Sequence, residues 1–469
     1  MGSDTMLTFF DRGRPGARYW ASYVTICTGW VIDFYDFFIV GFLLAVIGPV
    51  WHLTYGQSSW ILLGGGVGAI LGSLVFGTVA DRFGRKPTVV IAAAICAVGS
   101  GSIALVPDGA WQIFALLRVI VGFGLGGVAT IQIALIAELT PTPYRVKVSG
   151  FPIMGPSIGT LLAAISTATL IALLGWRGVA VLGMLPLAVC ISYIVAMPES
   201  PRWLVTKRQG DRARASIAVL LGIPVAEVPT EMEAVVKVPR VSLGELYGRP
   251  GRFWLVVVLW TCLATCNYGV YLWGPTITAL VTHVTVAEAA RYFVYVSIIG
   301  LGGRLFFSII PRYIGRLRSG QVFGYGVGLT FALAAFFHGS FYAGVSVFVV
   351  MLVFNAFFND GGFCSLTPYT AEIFPVRLAA RGVGLAQASN GIGKILGPYC
   401  LALIAGSSNV MSAQTTEAAI LPAFLFLAGC GVVVGVCHTF FAPETLGRPL
   451  ALDDAESKRG AQGYSTLNS

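Results

Sequence analysis

The sequence predicts an all-α integral membrane fold, twelve transmembrane helices in two pseudo-symmetric six-helix bundles, and three observations carry that prediction. The first is composition. Of the 469 residues 56% are hydrophobic and 11% are charged, and the mean hydropathy is +0.81. A soluble domain carries about 25% charged residues, because polar groups must cover its surface. This chain cannot cover a water-facing surface of its size, which excludes a soluble enzyme, a disordered chain and a nucleic-acid binder. The second is length: twelve apolar runs are each long enough to cross a bilayer, which takes about 20 residues. The third is repetition. Gly72…Gly84-Arg85 recurs as Gly303…Gly315-Arg316, and Glu138, Pro141, Gly150 and Gly159 recur as Glu372, Pro375, Gly384 and Gly393.

In chain order, residues 1–19 form a basic N-terminal segment ahead of six apolar runs, near 20–48, 59–79, 87–106, 111–137, 148–174 and 177–197. The first run spans about 28 residues and holds two aspartates, unlike the short core of a cleaved signal peptide, so it reads as a retained span. Residues 198–252 carry nine Lys/Arg, too polar to span and too short for a sizeable soluble domain. Six more runs follow, near 253–281, 289–310, 320–338, 341–368, 383–406 and 417–441, and 442–469 is a polar tail. With the N-terminus inside, 25 of the 30 Lys/Arg fall in cytoplasmic segments, leaving Arg177 and Arg291 at external ends and Arg118, Arg304 and Lys394 within spans. Basic residues accumulate on the cytoplasmic side, so the net charge of +9 reports topology rather than a phosphate partner, and both termini are expected inside. All nine cysteines lie in apolar stretches without Cys-x-x-Cys or Cys/His spacing, which supports neither disulfides nor a metal.

Two six-span halves related about the membrane normal predict a secondary transporter. Its site would lie at mid-membrane between the halves and open alternately by rocking. The motifs then resemble one family over essentially the whole chain, the major facilitator superfamily. Gly77-Thr78-Val79-Ala80-Asp81-Arg82-Phe83-Gly84-Arg85-Lys86 looks like its cytoplasmic signature, with Gly77 and Gly84 for tight turns and Asp81, Arg82 and Arg85 for charge pairing. In the second half Arg312 stands where Asp81 does. Glu138…Arg145 and Glu372…Arg377/Arg381 resemble further cytoplasmic gate motifs, as do Pro-Glu-Ser-Pro-Arg-Trp (198–203) and Pro-Glu-Thr-Leu-Gly-Arg (443–448). Carboxylates at helix ends are expected to face the arginines of the next linker, in a network that breaks when the inside opens.

A charge in mid-span costs about 2.5–3.5 kcal/mol on insertion scales, and six lie away from span ends: Asp33, Asp36, Arg118, Arg304, Asp360 and Lys394. Asp33 and Asp36, three apart, share a helix face. Two carboxylates close together in a low dielectric resist ionising together, so one can carry a proton. The segment Asp33-Phe34-Tyr35-Asp36 resembles the first span of organic-acid and phosphate proton symporters. Phe34 departs from the usual Asp-Gly-x-Asp of the aromatic-acid branch. Arg118-Val119-Ile120-Val121-Gly122-Phe123-Gly124-Leu125-Gly126 resembles the fourth-span arginine motif, whose arginine partners the aspartate matching Asp36. Its glycines lie within a helix and predict close helix packing rather than a phosphate cradle. Lys394, among small residues, is expected to hold a substrate carboxylate. Arg304 either joins it or pairs with Asp360, which could itself be a second protonation site.

The sugar-porter glutamines are missing, with Ile153 on the fifth span and Thr265-Cys266 before Asn267. The phosphate-symporter aspartates are also missing, with Val128 and Ala264 in their places. What remains is a cavity around a base, with Tyr35, Trp260, Tyr268, Tyr271 and Trp273 as candidate aromatics and Gln132, Asn267, Asn355, Asn359, Gln387 and Asn390 as candidate amides. An aromatic wall and a cation suit a small organic anion, an aromatic or other monocarboxylate. The expectation is a proton-coupled symporter in a plasma or bacterial inner membrane. It would be a monomer, with the proton gradient as its driving force and no cofactor or metal. Its partners would be the anion, the proton and the lipid bilayer. A sugar or polyol symporter, a drug:proton antiporter and a non-transporting nutrient receptor are the rivals; an enzyme is not expected.

Overall fold

The computed structural model describes residues 5–148, 150–233 and 244–447; the expected tail from 448 on and part of the central loop lie outside the described residues. The chain begins with α1 (Met6–Arg12), α2 (Ala17–Val50), α3 (Tyr55–Phe83), α4 (Arg85–Ile103) and α5 (Trp111–Leu139). It continues through the one-turn α6 (Arg145–Val148), α7 (Gly150–Val181), α8 (Leu185–Ala196), α9 (Pro201–Thr206), α10 (Gly210–Leu221) and α11 (Gly244–Tyr247). The second half holds α12 (Pro250–Val281), α13 (Val286–Ile309), α14 (Pro311–Ile314) and α15 (Arg316–Phe336). A hairpin of β1 (Phe341–Tyr342) and β2 (Val345–Ser346) leads to α16 (Val347–Glu372), α17 (Val376–Ile404) and α18 (Ala413–Phe440).

Among the described residues ten stretches are long and apolar enough to cross a membrane. One of them, 150–196, is two spans joined, because Gly175 at φ 64° breaks α7 at the boundary between the fifth and sixth expected runs. The twelfth span is α17, which has the length, 29 residues, but carries Arg377, Arg381, Gln387, Asn390 and Lys394. A correction falls at 341–368. Its first residues are the antiparallel hairpin, turned by Ala343 and Gly344 at φ 50° and 79°, and the helix starts only at Val347.

The chain divides into two compact units, Met1–Leu43 with Gly64–Val238, and Leu44–Leu63 with Pro239–Ser469. In the first unit α4 packs on α5 and α8. The glycines of α5 let main chains touch: a Cβ at Gly122 would strike the Gly65 carbonyl, one at Gly126 the Ala69 carbonyl, and one at Gly124 would sit 2.6 Å from Ala92 O. On its polar side, α1 buries Met6 and Phe10 against the apolar core of α9 and α10. Glu233 accepts from the first backbone N–H groups of α1, Leu7 N at 2.7 Å and Thr8 N at 3.1 Å. In the second unit α12 lies on α17 and α18, α13 on α16, and α15 on α16 and α18. There Thr54 pairs with Val410 in a β-bridge, and Tyr55 exchanges a 2.6 Å hydrogen bond with Thr416.

Candidate functional site

Charges inside a bilayer need partners, and the first unit builds one set around α2. Asp36 and Arg118 are each 1% exposed, with Arg118 Nη1 3.8 Å from Asp36 Oδ2. The guanidinium also donates to the backbone carbonyls of Asp36 and Phe37, both at 3.3 Å. Gly65 leaves room for it: a Cβ there would lie 3.2 Å from Arg118 Nη2. From α4, Ser100 Oγ donates to Asp36 Oδ1 at 2.5 Å and Cys96 Sγ approaches Oδ2 at 3.6 Å. Asp33 turns elsewhere. It accepts from Gln132 Nε2 at 3.0 Å, and the same amide donates to Tyr193 Oη at 2.7 Å. The two aspartates therefore share a helix face but answer to different neighbours. Tyr35 is 2% exposed and accepts from Ser166 Oγ at 3.4 Å.

The second unit holds a separate set. Asp360 on α16 accepts from Arg304 Nη2 at 3.3 Å, Asn267 Nδ2 at 3.0 Å and Tyr271 Oη at 2.8 Å, all four residues buried. Gly300 makes space for that carboxylate, which a Cβ would strike. Arg304 thus stands with Asp360. On α17, Lys394 Nζ lies 5.2 Å from the ring centre of Tyr268, within cation–π range. Asn359 is 1% exposed, next to Asp360 in sequence. Trp260 belongs to another neighbourhood, an apolar core with Leu263, Phe307 and Phe323, where its indole N–H donates to Thr370 at 2.8 Å.

At the helix ends that carry the expected gate motifs the pairing differs from expectation. Glu138 takes Arg85, at 3.0 Å, and not Arg145; Arg145 and Arg202 instead share Asp11 of α1, at 3.3 and 2.6 Å. Glu372 takes Arg316, at 2.5 Å, while Arg377 pairs with Glu245 and the exposed Arg381 makes no ion pair with a described residue. The cause is local: Gly84 (φ 110°) and Gly315 (φ 89°) turn the chain so that the following arginine starts a helix beside the glutamate. Asp81, its side chain 77% exposed, reaches Arg85 at 3.0 Å; Arg82 lies over the Phe83 ring, and Gly77 faces Thr130 of α5.

The orphan N–H groups that begin α4 and α15 are met by glutamates from the ends of the two repeats. Glu199 accepts from Arg85 N at 2.9 Å and Lys86 N at 3.2 Å. Glu444 accepts from Arg316 N at 3.0 Å and Leu317 N at 3.1 Å. Burial pushes the Glu199 carboxyl above its ordinary range, more than the bonds from Ser200, Lys86 and Arg85 lower it. Burial also raises Glu444, but the N–H groups of Leu446, Leu317, Arg316 and Thr445 together hold it below the ordinary range.

Residues 21–455 match the family model described as "Sugar (and other) transporter". The chain belongs to that family. It is 28% identical to a niacin transporter of Acinetobacter baylyi over 79% of this chain and 83% of the relative. It is 27% identical to a putative niacin/nicotinamide transporter of Bacillus subtilis over 80% and 86%. Among solved structures, the inward open xylose transporter of E. coli superposes with a TM-score of 0.71 at 19% identity, covering 93% of this chain and 99% of that one. That likeness speaks to the fold. The chain is a multi-pass membrane transporter of the major facilitator type, carrying a small molecule, and not an enzyme.

Several partners of this transporter's buried charges escaped the sequence. Ser100 and Cys96 look like ordinary small residues of an apolar span, and only their spacing of four, one turn on one face, hinted at a shared target. Tyr193 was indistinguishable from lipid-facing aromatics, and Tyr271 was a candidate for the cavity wall and not a partner for Asp360. Asp11 lay outside any recognised motif. Glu199 and Glu444 were visible as matching Pro-Glu pairs, though not as helix caps.

Proposed function

We propose that this transporter is a proton-coupled symporter that takes up a small aromatic monocarboxylate, nicotinate being the first candidate, by alternating access. The observation that carries the reading is the Asp36–Arg118 pair, carboxylate and guanidinium 3.8 Å apart and each 1% exposed within the spans. Such a pair is costly in hydrocarbon unless the charge is used. When Asp36 takes a proton from outside, its attraction for Arg118 falls away and the guanidinium keeps only its carbonyl partners. Ser100 and Cys96 hold the carboxyl in place through both states. Lys394 binds the substrate carboxylate, and the Tyr268 ring beside it offers an aromatic face. The names of the niacin relatives favour a ring acid over a sugar. Anion and proton then leave together on the inner side of a bacterial plasma membrane, where both termini lie. The gradient supplies the driving force, and the working unit is a monomer.

The test is transport in proteoliposomes with an imposed proton gradient. Asp36→Asn is expected to abolish gradient-driven accumulation of nicotinate while retaining counterflow exchange. Full accumulation by that variant overturns the mechanism. Lys394→Ala is expected to raise the half-saturating nicotinate concentration about tenfold or more, the loss of a charge-assisted bond; unchanged kinetics remove Lys394 from the site.

A further inference from the structure

Two amides of the second unit play no part in that cycle. Asn359 on α16 is 1% exposed, and its Oδ1 is buried without a hydrogen-bond partner among the described residues. Asn390 on α17 likewise keeps a buried, unpartnered Oδ1. The neighbouring polar groups are satisfied by protein: Asp360 by three donors, Asn355 by Thr330 at 2.9 Å. Buried polar groups in native proteins nearly always have partners, and an amide left without one inside a membrane span is destabilising. A primary amide carries an acceptor and two N–H donors, and one that nothing pins can present either by turning over.

Both amides stand at one level. The turn between α16 and α17 lies at 373–375, and at 1.5 Å per residue Asn359 and Asn390 are each about 20 Å along their helices from it. Lys394 follows Asn390 by four residues, on the same face one turn further, with the Tyr268 ring 5.2 Å from its ammonium. The level therefore offers a cation, an aromatic face and two amides with unused hydrogen-bonding capacity. A benzene carboxylate would use the first two and leave the amides unmet. A ring carrying its own hydrogen-bond acceptor would also engage an amide.

We infer that Asn359 and Asn390 are specificity-determining residues beside the substrate ring, an amide N–H of one of them donating to its heteroaromatic nitrogen while Lys394 holds its carboxylate. This rests on the proposed transport of a ring monocarboxylate. It adds that the site distinguishes a pyridine acid from its benzene counterpart, which has the same shape and charge but no ring acceptor.

The experiment is competition for labelled nicotinate uptake by unlabelled nicotinate and benzoate, using the purified full chain in proteoliposomes. Wild type is expected to need about tenfold to a hundredfold more benzoate than nicotinate for half-inhibition. In the Asn359→Leu/Asn390→Leu double variant, and in at least one of the two single variants, that ratio is expected to fall toward one. It falls through weaker nicotinate binding, with benzoate half-inhibition unchanged. Retained benzoate binding also shows that the variants are folded. Wild-type ratios near one overturn the inference whatever the variants do. A double variant that keeps the wild-type ratio overturns it too, and both results leave the ring-acid reading standing. A wild type that binds neither acid overturns that reading and the inference together.

Discussion

Glu199 and Glu444 cap helices at equivalent places in the two repeats, yet their carboxyls are held on opposite sides of the ordinary range. The consequence for stability has opposite signs. Glu199 has its folded value raised, so its ionised form is penalised in the native state and the penalty is relieved as pH falls through that value. Glu444 has its folded value lowered. Its contribution is present above the unfolded glutamate value and is lost as pH falls through the folded one. At neutral pH, Glu444→Gln is therefore expected to lower the thermal unfolding midpoint in detergent by about 2–4 °C more than Glu199→Gln. The gap between the variants closes on acidification below the carboxylate range. Equal midpoints at neutral pH would contradict this account of the caps.

Helix α5 owes its position to an absence of side chains. Gly122 and Gly126 press on carbonyls of α3 and Gly124 on α4, so each is a contact that a methyl group would have to displace. Overpacking of that kind costs about 1–3 kcal/mol. Gly122→Ala is expected to lower the unfolding midpoint, while Gly429→Ala on α18, where a Cβ meets nothing within 4 Å, leaves it unchanged. Similar losses from both would show that close approach does not fix α5. Elements of this kind were legible beforehand, because glycines spaced by two inside an apolar run have few other uses. The hairpin at 341–346 was not. Phe341, Tyr342 and Val345 are apolar and extend the hydropathy of the next span, and the turn has Ala343 at positive φ where Asn or Gly would have signalled it.

For the whole molecule, hydropathy and repetition gave away the twelve spans, and the scarcity of charge picked out six ionisable groups within them. The motif resemblance already paired Asp36 with Arg118 and offered Asp360 as a partner for Arg304, and both pairs are present; the uncharged partners of these groups were not legible. Partners such as Ser100 with Asp36, or Tyr271 with Asp360, come from helices far apart in the chain, and their meeting depends on packing. The arginines of the gate motifs were misassigned for the same reason: Arg145 was nearest Glu138 in sequence, but Arg85 is brought there by the turn at Gly84. A ligand stabilises the state it binds, so nicotinate at about 100 times its dissociation constant is expected to raise the unfolding midpoint. Xylose and inorganic phosphate at the same concentration are expected to leave it unmoved. Stabilisation by xylose instead would turn the reading toward a sugar.

The division into units also says where the chain has to bend. It passes from one unit to the other at 43–44, at 63–64 and at 238–239, and the first two crossings lie inside the unbroken helices α2 and α3. At these two crossings a rearrangement of one unit against the other is absorbed as curvature in a continuous helix and not by a swinging loop. Curvature is cheaper where helix propensity is weak. At the second crossing Leu63 is followed by Gly64-Gly65-Gly66, and each glycine gives up about 1 kcal/mol of helical preference relative to alanine. Low helical preference thus falls at the place where the two units share one helix.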